Sequence, residues 1–468
     1  MKIHGYRWLQ LCLCLFLLSA CDFSKVSDAQ AHVTVDARQW GKSTCMIGAV
    51  EGSSGFKLAD LQDLGINTYR IYGGMSRWMI FDQHSSIPSI EQVQTNPAVI
   101  DWSKWDAVMS SPPEGSDYWW VPGTHRWQGN ARTLFGSLQS ARILPVLVLR
   151  NRDDNNNPSW TPDPPQTEAD WKLWWDYTFS LVYWLNVRNS YNVNDFEIHN
   201  EPDNPAQGWH GTHSDYLTFA WYTANAIDYV YKTFLPGRSY HLYGPVTASG
   251  SQWPRDLATP SPFDQVDIHD YTISSNQYIR QVHQWMNLSR YATTPLWLTE
   301  WGSYTTPTPY STVPFGILLL NRLISGSQPG DDYIYGSHLF SLYDFNTQPL
   351  GLIDYMGKRR ADYYALRMGI RALQGCRPTY QSHTDRPDLH AITTKDTQGH
   401  IFVLLTNQSP SQSYSVTIDL SQLCTQAPGT LWQFSAHALD TIIGHPKLQN
   451  GIVHLQLPAQ SASLLRVV

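Results

Sequence analysis

Between residues 44 and 375 the chain repeats one unit: a short apolar run of strand-forming residues, a loop closed by glycine or polar residues, then a helical segment. The runs are Met46 to Val50, Ile66 to Tyr72, Ile143 to Leu149, Asp195 to Ile198, Tyr240 to Val246, Val266 to Tyr271, Leu296 to Thr299 and His338 to Tyr343. Helical patterns follow at 57–64, 168–188, 215–234, 315–324 and 363–373. Strands separated by helices pair in parallel, because each crossover must return to the same edge of the sheet. Eight such units close into an α/β (β/α)8 TIM barrel, predicted over 41–375. Long insertions at 75–130 and 151–166 carry it beyond the usual length of about 250 residues. The rhythm is weakest at the fifth and sixth runs.

After Gly375 the period changes. Short alternating runs at 389–394, 401–405, 413–420, 451–457 and 462–467, with turn residues between, predict a small all-β sandwich domain over 376–468. His32 to Val35 can add a strand to it.

The amino terminus reads as a targeting segment. Lys2 and Arg7 precede an apolar run from Trp8 to Leu18, too short for a comfortable membrane span. Leu18-Ser19-Ala20-Cys21 resembles a lipobox, with Cys21 lipidated as the mature first residue and 1–21 the lipoprotein signal. Asp22 resembles an inner-membrane retention signal of some Gram-negative bacteria. Residues 22–40 are polar and are expected to be a tether. The predicted product is an exported lipoprotein held to the membrane at Cys21, facing the periplasm or the exterior. With Cys12 and Cys14 removed, Cys45, Cys376 and Cys424 remain. An exported chain can form disulfides; Cys376 and Cys424 flank the same domain and are the expected pair, leaving Cys45 a buried thiol. The cysteine spacing gives no metal site, and no cofactor is expected.

Charged residues are only 15% and hydrophobic residues 42%, the balance of a globular chain with ample core. A formal charge of -7 gives no basic face for nucleic acid. The 20 Trp and 26 Tyr either fill a large barrel or offer flat surfaces to sugar rings. Trp127, Trp209 and Trp301 are the candidate platforms.

Two carboxylates occupy matching positions. Asn200-Glu201-Pro202 ends the fourth run, since proline cannot extend a ladder. Thr299-Glu300-Trp301 ends the seventh. The carboxyl ends of barrel strands form the catalytic rim, and two carboxylates are the minimum equipment for cleaving a glycosidic bond. Arg70 ends the second run, and its charge needs a partner there. Glu51, ending the first run, is a spare carboxylate. Glu197 is expected to face the barrel interior and pair there. Tyr343 and Asp344, at the eighth, are candidates for a subsite wall.

With both glutamates placed, the chain resembles the retaining glycoside hydrolases of clan A, the 4/7 superfamily. Glu197 to Asp203 and Thr299 to Tyr304 look most similar to family 39, with families 5 and 30 near alternatives. The resemblance implies that Glu201 is the acid/base, Glu300 the nucleophile and Asn200 a ligand for the sugar 2-hydroxyl. It further implies that Arg70 supports the nucleophile and that His269 and Tyr271 match the His-x-Tyr of strand six, whose tyrosine touches it. Trp301 is grouped with these as substrate-binding. His199 departs from the pattern, standing where many members carry Trp or another apolar residue.

The function expected is a retaining glycoside hydrolase acting on an extracytoplasmic oligo- or polysaccharide by double displacement. The alternative is a non-catalytic glycan-binding lipoprotein on a degenerate barrel. A metal-dependent barrel hydrolase would want a His-x-His pair near the first strand, which the sequence lacks.

Overall fold

The computed structural model describes residues 28–52, 57–81, 87–111, 120–121, 126–127, 129–151, 162–305, 308–345 and 348–468. The signal, Cys21 and the loop 152–161 lie outside the described residues.

Eight parallel strands close into a barrel. In order they are Met46–Val50, Thr68–Gly74, Leu144–Arg150, Asp195–Ile198, His241–Thr247, Gln265–Asp270, Leu296–Gly302 and Gly336–Phe340. Each pairs with its neighbour in sequence, and the eighth returns to the first. Helices such as Glu168–Tyr183, His213–Phe234, Val313–Gly326 and Ala361–Leu373 pack around it. Their starts follow from the sequence: Thr212 and Asp215 form a reciprocal capping box that opens the helix after strand four. Gly65 ends the first helix with φ 83°, a left-handed turn that suits a residue lacking Cβ. The insertion at 75–130 carries more order than its loop-rich composition suggests, with helices Ile90–Thr95 and Trp102–Ser110. No helix among the described residues is long and apolar enough to cross a membrane.

The second domain is one curled sheet of nine strands around a separate core that includes Val33, Val403, Val416 and Leu465. Three of its strands, Pro378–Thr384, Gly429–Ser435 and Ala438–Gly444, are not among the runs read from the sequence. The expected tether requires correction. Ala29–Lys42 is a strand of this sheet, parallel to Tyr414–Asp419 and antiparallel to Pro378–Thr384. Its alternation of buried Ala31, Val33 and Val35 with exposed polar residues gives it one apolar face. From Ala29 onward the described chain thus runs through the β domain, builds the barrel and returns.

The expected disulfide is also corrected: Cys45 pairs with Cys376, and Cys424 is free. Cys45 leads into the first barrel strand, and Cys376 follows the last barrel helix. The backbone already joins them there, with Gly375 N donating to the Cys45 carbonyl at 3.1 Å. A closed barrel brings its two ends together, whereas Cys424 follows the strand Tyr414–Asp419 of the β domain. Arg367 and Arg371 on the helix Ala361–Leu373 fix the β domain to the barrel by pairing with Asp440 at 2.7 Å each.

Candidate active site

Alternation along a strand sends every second side chain into the barrel. Strand two thus directs Thr68, Arg70 and Tyr72 inward, and strand six directs Asp267, His269 and Tyr271. Two irregularities adjust the pattern where the carboxylates stand. Strand seven pairs Leu298 with Ile268 but Glu300 with His269, so Thr299 is an extra residue. Thr299 and Glu300 consequently both point inward, Thr299 reaching Asp267 at 2.7 Å. On strand four, His199 takes φ 68° and Glu201 φ 46°. The reversal at His199 turns its ring outward, onto Trp209 and Phe219, and Asn200 inward.

The guanidinium of Arg70 organises the floor of the site. Its Nε and Nη2 clamp Glu197, with Nε 2.7 Å from Oε2. Nη2 also donates to Asn200 Oδ1 at 2.8 Å. Nη1 reaches Glu300 Oε1 at 2.5 Å. Arg70 and Glu197 are fully buried, where an unpaired charge would be costly and a shared one is tolerated. Glu300 accepts further bonds from the Tyr72 hydroxyl on Oε1 at 2.8 Å and the Tyr271 hydroxyl on Oε2 at 2.7 Å. Burial opposes ionisation of Glu300, but the charges of His269 and Arg70 and these two hydroxyls overcome it, holding its pKa down at about 2. Glu300 is therefore a carboxylate at any ordinary pH.

Glu201 faces it. His269 Nδ1 lies 2.9 Å from Glu201 Oε1 and 3.5 Å from Glu300 Oε2. Asn204 Nδ2 donates to the other Glu201 oxygen at 2.9 Å. Burial disfavours a charged His269 ring, yet the Glu300 and Glu201 carboxylates prevail and raise its pKa to about 9. Oxygens of the two glutamates and a nitrogen of His269 lie within 4.8 Å of one another. Two carboxylates and an imidazole are a donor set that can hold a divalent cation. Here the ring is held as a cation, and Arg70 already donates to Glu300.

The structure thus gathers Glu201, Glu300, Asn200, Arg70, His269 and Tyr271 at one end of the barrel. It does not bring Trp301 there. The extra residue at Thr299 turns Trp301 outward, where it is buried and lines a small cavity with Leu298, Arg322 and Leu323 behind the strand. Trp209 is likewise buried, against His199, Tyr216 and Phe219. Trp127 pairs with Trp120 in a two-residue ribbon, and its side chain lies outside the described residues. Tyr343 is fully buried, bonded to the Lys57 backbone at 3.1 Å, and Asp344 pairs with Arg360 at 2.8 Å, so neither forms a subsite wall. Glu51 accepts from Tyr72 N at 2.6 Å and from Arg77 at 3.0 Å.

Sequence reasoning missed Tyr72, although it stands two residues after Arg70 and so on the same face. It also missed the aromatic edge of the mouth. Tyr304 is exposed and meets Tyr271 edge-on at 4.8 Å, while Phe345 stacks on Phe340 at 5.1 Å.

Comparison with solved structures gives the same architecture. A monomeric β-xylosidase from Caulobacter crescentus CB15 matches with TM-score 0.65 at 15% identity, over 94% of this chain and 99% of that one. The fold is shared with glycoside hydrolases. A GH30 endoxylanase from Clostridium papyrosolvens C71 matches with TM-score 0.64 at 13% identity, covering 93% and 99% of the two chains. The GH39 enzyme from Xanthomonas axonopodis pv. citri matches with TM-score 0.63 at 14% identity, covering 96% and 99%. No protein-family model and no curated protein sequence matches the chain.

Proposed function

We propose that this chain is a retaining glycoside hydrolase of the clan A type, with Glu300 as nucleophile and Glu201 as acid/base. The observation that carries this reading is the facing pair of buried glutamates, with oxygens within 4.8 Å and Glu300 held ionised. Retaining enzymes keep their carboxyls about 5–5.5 Å apart, whereas inverting ones leave about 6.5–9.5 Å for a water. A Glu300 oxygen attacks C1 as the C1–O bond breaks, and the leaving oxygen takes a proton from Glu201. The Glu201 carboxylate then removes a proton from water, the water oxygen attacks C1, and the ester to Glu300 is released. Asn200, held by Arg70, binds the sugar 2-hydroxyl in this reading.

The similar structures are a β-xylosidase, an endoxylanase and a GH39 enzyme, so β-xylosides and xylan head the substrates to try. The test is hydrolysis of a panel of aryl glycosides and polysaccharides by residues 22–468, beside Glu300→Gln. Turnover by the wild type alone supports the reading, and equal turnover by the variant overturns it. Binding without hydrolysis on every member would favour the glycan-binding alternative.

The lipobox-like Leu18-Ser19-Ala20-Cys21 supports an anchored location outside the cytoplasm. Mass spectrometry of the membrane fraction should find Cys21 acylated, and Cys21→Ser should release the chain.

A further inference from the structure

His199 and Asp163 form a buried pair that the proposed chemistry does not use. His199 is fully buried and Asp163 nearly so. His199 Nε2 stands 3.6 Å from Asp163 Oδ2. Among the described residues, neither that nitrogen nor either Asp163 oxygen has a hydrogen-bond partner. The other ring nitrogen, Nδ1, lies 3.0 Å from the carbonyl oxygen of Asn200. A carbonyl only accepts, so Nδ1 carries a hydrogen and donates. Nε2 then faces a carboxylate, which also only accepts, and the contact is attractive only if a proton lies between them.

The backbone shows what such a pair could do. His199 and Glu201 both adopt left-handed conformations, at φ 68° and 46°. A non-glycine residue there is uncommon and costs on the order of 1–3 kcal/mol unless its surroundings impose it. The turn is held at its ends by backbone bonds from His199 N to Leu149 O at 2.8 Å and from Glu201 N to Val246 O at 2.9 Å. Between them, the Asn200 peptide is fixed by the His199 ring. That ring stands between Asp163, 3.6 Å from Nε2, and the Trp209 ring, which it meets near-perpendicularly at 5.2 Å between centroids. Asp163 is anchored through its own carbonyl, which accepts from His210 N at 2.9 Å.

We propose that Asp163 and His199 are positioning residues for Glu201, holding the strained turn that aims its carboxyl at the leaving oxygen. This rests on the acid/base role given to Glu201 above. An apolar residue at 199 would fill the same space but could not tie the Asn200 carbonyl to the strand-three loop.

The test compares the full chain, solubilised in detergent, with Asp163→Ala and Asp163→Asn. Each is measured on an alkyl and a 2,4-dinitrophenyl glycoside of one sugar, and crystal structures are obtained of the wild type and Asp163→Ala. Proton donation matters only for the poor leaving group. Asp163→Ala should therefore lower kcat/KM, which reports the first step, about 10²-fold on the alkyl substrate and less than about 3-fold on the activated one. Asp163→Asn should recover most of the loss, because its amide can donate to Nε2 of a neutral ring. In crystals of Asp163→Ala, residues 199–201 should leave the left-handed region. Equal losses on both substrates, no loss, or an unchanged turn would each overturn the proposal. If the wild type hydrolyses neither substrate, the hydrolase reading fails and the geometry of the turn decides the pair's role by itself.

Discussion

Arg70 donates Nη1 to Glu300 Oε1 at 2.5 Å while its other nitrogens hold Glu197 and Asn200. One planar group thus links Glu300 to the strand that leads to Glu201. Lysine offers a point charge without the fork and cannot serve three partners in fixed directions. Arg70→Lys should lower kcat/KM by about 10²-fold, the scale of losing one preorganised electrostatic contact. The acid limb of the pH profile should move upward, because Glu300 loses part of what holds it ionised. Steady-state kinetics between pH 3 and 7 would check both.

Glu201→Ala should separate the two steps. Activated aryl glycosides need no proton at the leaving oxygen, so their first step should persist while release of the sugar slows. Added azide should restore turnover and give a glycosyl azide of retained configuration, which product analysis by NMR would identify. A product of inverted configuration would contradict the assignment of Glu300.

Ionisation in the site sets the limits of pH. The His269 pKa rises from 6.5 to about 9, so its stabilising interaction is complete below 6.5 and is lost as pH rises through about 9. That of Glu300 falls from 4.5 to about 2, so its contribution is present above 4.5 and is lost as pH falls through about 2. Activity should show an alkaline limb near pH 9, with Tm declining over the same interval. His269→Asn should remove that limb.

Asp362 lies buried at the start of the helix Ala361–Leu373, and among the described residues neither of its oxygens has a partner. Gly316 leaves the room it needs, since a Cβ there would come 2.7 Å from Asp362 Oδ1. Burial raises its pKa from 3.8 to about 9. The folded chain then holds a proton that the unfolded chain releases, and stability falls as pH rises from 3.8 toward 9. Asp362→Asn is neutral at every pH. It should raise Tm at pH 8 and change it little at pH 4, as calorimetry would show.

The Cys45–Cys376 bond closes a loop of 331 residues. Replacing both by alanine should destabilise the chain by about 2–5 kcal/mol, read as a lower denaturation midpoint. Peptide mapping without reductant should find this pair linked and Cys424 open to alkylation.

Much of the architecture is local in origin. The barrel strands lie close to the apolar runs, and the strand end just before Glu201 follows from the proline at 202. The alternation at Ala31, Val33 and Val35 was legible as a strand, although its polar surroundings suggested a tether. Arg70 was found by its place at the end of the second run, and His269 and Tyr271 through the family resemblance.

Where that period breaks, the sequence misleads. The extra residue at Thr299 sends Trp301 behind the sheet, and the reversal at His199 sends Asn200 into the mouth. Both depend on register with neighbouring strands, which no local pattern encodes. The disulfide partner of Cys45 was hidden for the same reason, since only closure of the barrel brings it to Cys376. The sequence by itself determined the eight-strand rhythm and the two glutamates. Tertiary structure alone decided which side chains converge, because convergence requires contacts between residues more than a hundred positions apart, such as Arg70 with Glu197 and Glu300.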